Sequence, residues 1–97
     1  MKQQIKEDKI EQITDLFKIL GDTTRLKIIW MLDSEICVGE LAKKLEMEQS
    51  AVSHQLSILK VGGLVDKRRD GREIYYRLAD NNVRQVLKAG MESVGKN

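Results

Sequence analysis

The stretch Gln49-Ser-Ala-Val-Ser-His-Gln-Leu-Ser-Ile-Leu-Lys60, followed at once by Val61-Gly-Gly-Leu-Val65, decides how this 97-residue chain is read. Val52, Leu56 and Leu59 recur at helical spacing and predict a core-facing stripe. Gln49, Ser50, Ser53, His54 and Ser57 fall largely away from that stripe. They are short hydrogen-bonding side chains, the kind that lets a helix lie close against base edges and phosphates. A solvated polar face is the plainer alternative, but such faces carry Lys and Glu, and no acid stands between Gln49 and Lys60. The segment reads as a DNA-recognition helix.

Working upstream, residues 38–45 predict a second short helix that buries Val38, Leu41 and Leu45 and exposes Lys43 and Lys44. Glu46-Met47-Glu48 makes the turn between the two. Short helices joined by about three residues form a helix-turn-helix, here over about 38–61. Glu48 caps less well than Ser or Asp, so the start of the recognition helix is its least defined point.

Working downstream, residues 64–69 and 72–78 flank Asp70-Gly71, a strong hairpin signal between two strand-like runs. Ile74, Tyr76 and Leu78 alternate inward, while Tyr75 and Arg77 point out. Arg68, Arg69 and Arg72 then cluster at the tip. A basic-tipped hairpin directly after a recognition helix is a wing, here over about 64–78.

The flanks complete a single domain spanning 1–97. Residues 1–8 are polar, mixed in charge and read as a frayed start. Ile10, Ile13, Leu16, Phe17 and Leu20 keep helical spacing until Gly21 stops the helix, and Asp22 suits the N-cap of the next. That helix runs to about Leu32, with Leu26, Ile29 and either Trp30 or Leu32 inward and Trp30 as a packing anchor. Ile36-Cys37 is an extended pair able to form a short strand. A last helix from about Asn81 places Val83, Val86, Leu87, Gly90, Met91 and Val94 on one side. The class is mainly α with a small β-hairpin, in the order α-α-α-α-β-β-α.

Composition narrows the function. The chain is 41% hydrophobic yet has only four aromatic residues, so its core must be aliphatic, and a domain this small gains from burying a further face against a second subunit. With no proline there is nothing to mark a linker. One cysteine forbids an internal disulfide and suits a reducing compartment. No apolar run has the length of a membrane span or signal peptide, so the expected location is the cytoplasm, away from membranes. Net charge is only +2, but it is unevenly spread: residues 22–48 carry four basic and six acidic groups, and residues 49–72 carry five basic and two acidic. Positive charge gathers around the recognition helix and the wing.

Leu20-Gly-Asp-Thr-Thr-Arg-Leu-Lys-Ile-Ile29, Ile36-Cys-Val-Gly-Glu-Leu-Ala42 and Ser50-Ala-Val-Ser-His-Gln-Leu56 together resemble the arsenic-repressor (ArsR) family. Gly63-Leu-Val65 and Gly71-Arg-Glu-Ile-Tyr-Tyr76 extend the likeness through the wing, so that it covers roughly residues 10–94. The resemblance implies a homodimeric winged-helix repressor that leaves its operator when an inducer binds, with the first and last helices at the dimer seam. Ile10, Ile13, Phe17, Val83, Leu87, Met91 and Val94 are the expected seam residues, although both stripes could instead cover the protomer's own core. On DNA, Gln49, Ser50, Ser53, His54 and Ser57 would face the bases. Lys43, Lys44, Lys60, Arg68, Arg69 and Arg72 would hold the backbone of an operator built as an imperfect inverted repeat.

The resemblance also implies two places to look for metals. A family Cys-Val-Cys segment, sometimes with a further Cys, falls here on Cys37, Gly39 and Ala42, which keeps one thiolate where a soft metal needs two or three. The family site on the last helix falls on Asp80, Asn82, Ser93 and Lys96, of which only Asp80 is a zinc ligand. Neither site is intact, and no metal or other cofactor is expected there. His54 is expected on DNA rather than on a metal. Cys37 has three readings: a small packing residue, a lone oxidisable thiol, or one half of an intersubunit pair. The inducer is not identified by these residues: a small molecule, a redox signal at Cys37, a metal at a nonstandard site, or no ligand at all stay open. Two other functions fit these residues less well. A winged-helix module for protein or ligand binding is disfavoured by the basic tip and acid-free face. An enzyme is disfavoured because the lone His and lone Cys lie on different elements, with no phosphate loop or paired carboxylates.

Overall fold

The computed structural model describes residues 6–95. Its elements run α1 (Glu7–Leu20), α2 (Thr23–Met31), β1 (Ile36–Cys37), α3 (Val38–Leu45), α4 (Gln49–Val61), β2 (Val65–Asp70), β3 (Glu73–Leu78) and α5 (Asn82–Val94). The expected winged helix-turn-helix is present, and Ile36-Cys37 forms the short strand β1 between α2 and α3. α1 begins two residues before Lys9: Glu7 and Asp8, expected to fray, form its first turn, where carboxylates favour the positive end of the helix. The rest of the expected frayed start, residues 1–5, lies outside the described residues.

Local signals account for most boundaries. Asp22 caps α2, its Oδ2 accepting the Arg25 backbone N–H at 3.1 Å. α3 and α4 both close with the paired backbone bonds of a Schellman turn. In α3 the N–H of Glu46 donates to the carbonyl of Lys43 and that of Met47 to Ala42; in α4 Gly63 donates to Lys60 and Leu64 to Leu59. Each turn needs a left-handed residue. Gly63 supplies it at φ +78°, while Glu46 adopts φ +56° in the helix-turn-helix bend despite its Cβ.

Inside, Ile28, Ile29, Leu41, Val52, Leu56 and Leu59 are fully buried, and among the described residues no polar or charged residue is buried. The core is aliphatic as expected, with Tyr76 its aromatic member. Trp30 is not the anchor in α2: it is 45% exposed, and Leu32, at 2%, takes the inward position. The indole instead lies outside under Arg84 of α5, whose guanidinium is 5.2 Å from the ring centre and donates to the Trp30 carbonyl at 2.8 Å. No described helix is long and apolar enough to cross a membrane.

The sheet is antiparallel in the order β1-β3-β2. Ile36 pairs with Tyr76 and Cys37 with Tyr75, while β2 and β3 pair from Val65 with Leu78 to Asp70 with Glu73. The hairpin loop is therefore Gly71-Arg72, one residue later than the Asp70-Gly71 turn expected. Gly71 takes φ +67° and Arg72 keeps a negative φ, the dihedral signs of a type II′ turn, in which glycine is required only at the first loop position.

Candidate nucleic-acid interface

α4 is fixed by its buried stripe, and its opposite face is what reaches solvent. Gln49, Ser50, His54, Ser57 and Lys60 are exposed, and Ser53 is half-buried. The Ser57 hydroxyl is already committed as a donor, to the Ser53 carbonyl at 3.1 Å, so it meets a partner as an acceptor. No side chain caps the start of α4, and the free amides of a helix N-terminus attract anions. Lys43 and Lys44 are exposed in the last turn of α3, one turn of chain away.

The wing divides its charges between two faces. Residues directly opposed in an antiparallel pair share a face. The register thus puts Val65, Lys67 and Arg69 with Leu78, Tyr76 and Ile74 on the side that packs on the core, and Asp66, Arg68 and Asp70 with Arg77, Tyr75 and Glu73 on the other. The three arginines expected to cluster at the tip are therefore separated. Arg69 shares a row with Lys67, Arg72 sits in the turn, and Arg68 points from the opposite face.

Arg68 is moreover engaged. Its Nε and Nη2 donate to the two carboxylate oxygens of Glu35 at 2.8 and 2.9 Å. Its guanidinium lies 4.7 Å from the centre of the Tyr75 ring, with Asp70 at 3.9 Å. These hydrogen bonds hold the Glu35 carboxyl below its ordinary pKa and, with the attraction of Glu35 and Asp70, raise that of Arg68. Arg68 is thus a strut of the wing before it is a phosphate contact. Arg77 pairs loosely with Asp66 at 3.9 Å. Among the described residues, no ion pair engages Lys60, Lys67, Arg69 or Arg72.

Lys67 was not singled out from sequence. Its place opposite Tyr76 follows from the same period-two alternation that turned Tyr76 inward, so the signal was present. With Lys60 it lines an open cleft of about 580 Å³ between the end of α4 and the wing, together with Glu35, Asp66, Arg68 and Arg77.

The positions compared with metal sites are dispersed. Cys37 is half-buried in β1, just ahead of α3 rather than on it, and Gly39 lies in the first turn of α3, where an added Cβ would stand 3.7 Å from Gln49 Oε1. Ala42 is buried in the core. Asp80 precedes α5, and its Oδ1 accepts the Asn82 backbone N–H at 2.8 Å. Ser93 is exposed in the last turn of α5, and Lys96 lies outside the described residues.

The expected seam residues also divide. Ile10, Ile13 and Phe17 of α1 and Met91 and Val94 of α5 are exposed, and Val86, at 36%, joins them. Val83 does not: it is buried in the protomer core, and Leu87 is partly buried against that core, on the stretch of α5 where Arg84 also hydrogen-bonds α2.

The arrangement matches known proteins along nearly its whole length. Residues 22–67 match the family described as bacterial regulatory protein, arsR family. The chain is 43% identical over 82 residues to a transcriptional repressor SmtB homologue from Synechocystis, aligning with 84% of this chain and 62% of that one. It thus spans under two thirds of that relative's length. Among solved structures, the AntR antimony-specific transcriptional repressor superposes with a TM-score of 0.89 at 30% identity, over 98% of this chain and 87% of the other. The homodimeric winged helix-turn-helix DNA-binding domain of a possible ArsR-family regulator from Mycobacterium bovis gives 0.83 at 29% identity, over 100% and 93%. The chain belongs to the ArsR family of bacterial regulatory proteins and has the winged helix-turn-helix fold of its transcriptional regulators.

Proposed function

We propose that this chain acts in the cytoplasm as a homodimeric transcriptional repressor that binds an inverted-repeat operator. One observation carries the reading: the acid-free face of α4 presents Gln49, Ser50 and His54 to solvent beside a wing whose Lys67, Arg69 and Arg72 have no carboxylate partner among the described residues. Each α4 enters a major groove, with Gln49, Ser50, Ser53 and His54 at base edges and Ser57 accepting at the groove wall. Lys43, Lys44 and Lys60 hold phosphates around it, and Lys67, Arg69 and Arg72 grip the backbone or the neighbouring minor groove.

Exposed apolar side chains of α1 (Ile10, Ile13, Phe17) and α5 (Val86, Met91, Val94) form the dimer seam. The Mycobacterium bovis domain is homodimeric, which supports a dimer, and the exposed apolar rows of this chain are what place the seam on α1 and α5. The two-fold places equivalent heads on half-sites separated by about 10 bp or a small multiple of it. The releasing signal is a small molecule or an oxidant acting at Cys37, since the two family metal positions keep one thiolate and one carboxylate between them.

A gel-shift titration with the DNA upstream of its own gene, repeated across salt concentrations, tests the reading. Repression predicts a discrete complex that outlasts non-specific competitor and weakens steeply with salt. Binding indistinguishable from that to unrelated DNA would leave a protein- or ligand-binding module as the better description. Screening oxidants and metabolites for release of that complex, with wild type and Cys37→Ser, then separates the two kinds of signal.

A further inference from the structure

One arginine ties three helices together. Arg25 is in α2, half-buried, with its backbone N–H on the Asp22 cap. Its Nε donates to the carbonyl of Ile19 at 2.7 Å, one of the carbonyls left without a helical partner in the last turn of α1. Its Nη1 donates to Gln55 Oε1 at 2.9 Å, on the half-buried flank of α4. Among the described residues, no other side chain hydrogen-bonds both α1 and α4. The same two helices meet again at Gly62, where an added Cβ would lie 2.5 Å from Ile19 Cδ1. Hydrogen bonds and a close packing contact thus fix the end of α1 against α4 from two sides.

We propose that Arg25 is a positioning residue that sets the angle between the dimer helix α1 and the reading helix α4, and so determines which half-site spacing the dimer accepts. The inference rests on the reading of α1 as seam and α4 as reading head. Its logic is geometric. In a two-fold dimer the distance and rotation between the two heads depend on how rigidly each head is keyed to the seam. Inserting one base pair rotates one half-site by roughly a tenth of a turn and displaces it along the axis. A rigidly keyed head rejects that change, whereas a head free to pivot tolerates it. The planar guanidinium suits the task because its fixed fork can satisfy two acceptors on different helices at once, which the single ammonium of lysine cannot do at these positions.

The test uses the full-length dimer and a half-site selected by the wild-type protein from random-sequence DNA. That half-site is rebuilt as inverted repeats with the selected spacing and with one base pair added or removed. Arg25→Lys and Gln55→Leu cut the bridge; Gln55→Glu keeps an acceptor for Arg25. Sedimentation equilibrium and circular dichroism report dimer and fold for every variant. Wild type is expected to prefer its selected spacing by about tenfold or more. In Arg25→Lys and Gln55→Leu the preference falls to about threefold or less with dimer affinity unchanged. Gln55→Glu retains the wild-type spacing profile, while its extra negative charge lowers affinity for all spacings alike.

An unchanged spacing profile in both bridge-cutting variants overturns the assignment, and so does an equal loss of affinity at every spacing. If wild type selects no DNA, the repressor reading itself fails and this inference falls with it. Loss of dimer or fold in both bridge-cutting variants would make Arg25 a stability residue and overturn its positioning role.

Discussion

Glu35 and Arg68 stand 33 residues apart in sequence and form a two-point hydrogen-bonded pair at 2.8 and 2.9 Å. Glu35 precedes β1 and Arg68 lies on β2, so the pair crosses β3 and braces the outer face of the wing. Pairing favours the ionised carboxylate, so the Glu35 pKa is lowered from 4.5 in the folded chain. The brace is therefore fully present above that unfolded value and is lost as pH falls through the lower folded one. The Arg68 Nε proton, followed by NMR from about pH 7 to about pH 3, should shift with a midpoint below that of an unpaired glutamate. In Glu35→Gln that proton should show no such transition, and the amides of β2 should exchange faster.

The split of the wing's charges predicts unequal effects on DNA affinity. Lys67→Ala and Arg69→Ala should each reduce the slope of log affinity against log salt by about 1, as expected for a lost phosphate contact. Arg68→Ala should leave the slope close to wild type, because its guanidinium is committed to Glu35 and Tyr75. An Arg68 effect equal to that of Lys67 would restore the simple basic tip read from sequence.

The bend between α3 and α4 stores a small strain. Glu46 holds φ +56° in the position where Gly63 serves the equivalent turn of α4. A left-handed residue with a Cβ costs about 1–2 kcal/mol, and glycine's extra freedom in the unfolded chain offsets about half of that. Glu46→Gly should thus stabilise by about 0.5–1 kcal/mol. Gly63→Ala should destabilise by about 0.5–1 kcal/mol, the same balance in reverse, although an added Cβ would meet nothing within 4 Å. Urea denaturation at fixed protein concentration, with unchanged m-values, checks both.

Much of this fold was legible because its signals are local and periodic. The 3.6-residue stripe of Val52, Leu56 and Leu59 and the Asp22 cap each act within one or two turns, and both appear where the sequence placed them. The hairpin turn was displaced by one residue because Asp-Gly and Gly-Arg both satisfy the local chemistry, and only the register of β2 against β3 chooses between them.

The site was legible on α4 and less so elsewhere. Arg68 reads as a free cation until Glu35 is brought across the sheet, a contact set by strand order rather than by spacing. Val83 carries the same apolar signal as Met91, but only the first two turns of α5 reach the protomer core, so one is buried and the other exposed. Arg25 has no local signal for its bridge, because its two acceptors lie 6 and 30 residues away.

The central claim is that the exposed face of α4 reads bases. Its most direct test is the ratio of affinities for the selected operator and for unrelated DNA, measured at one salt concentration for wild type and for Ser53→Ala with His54→Ala. Losing base-edge contacts of about 1–3 kcal/mol each should lower that ratio by tenfold or more, with dimer stability and non-specific binding retained. A ratio equal to that of wild type would place the reading face elsewhere on the molecule.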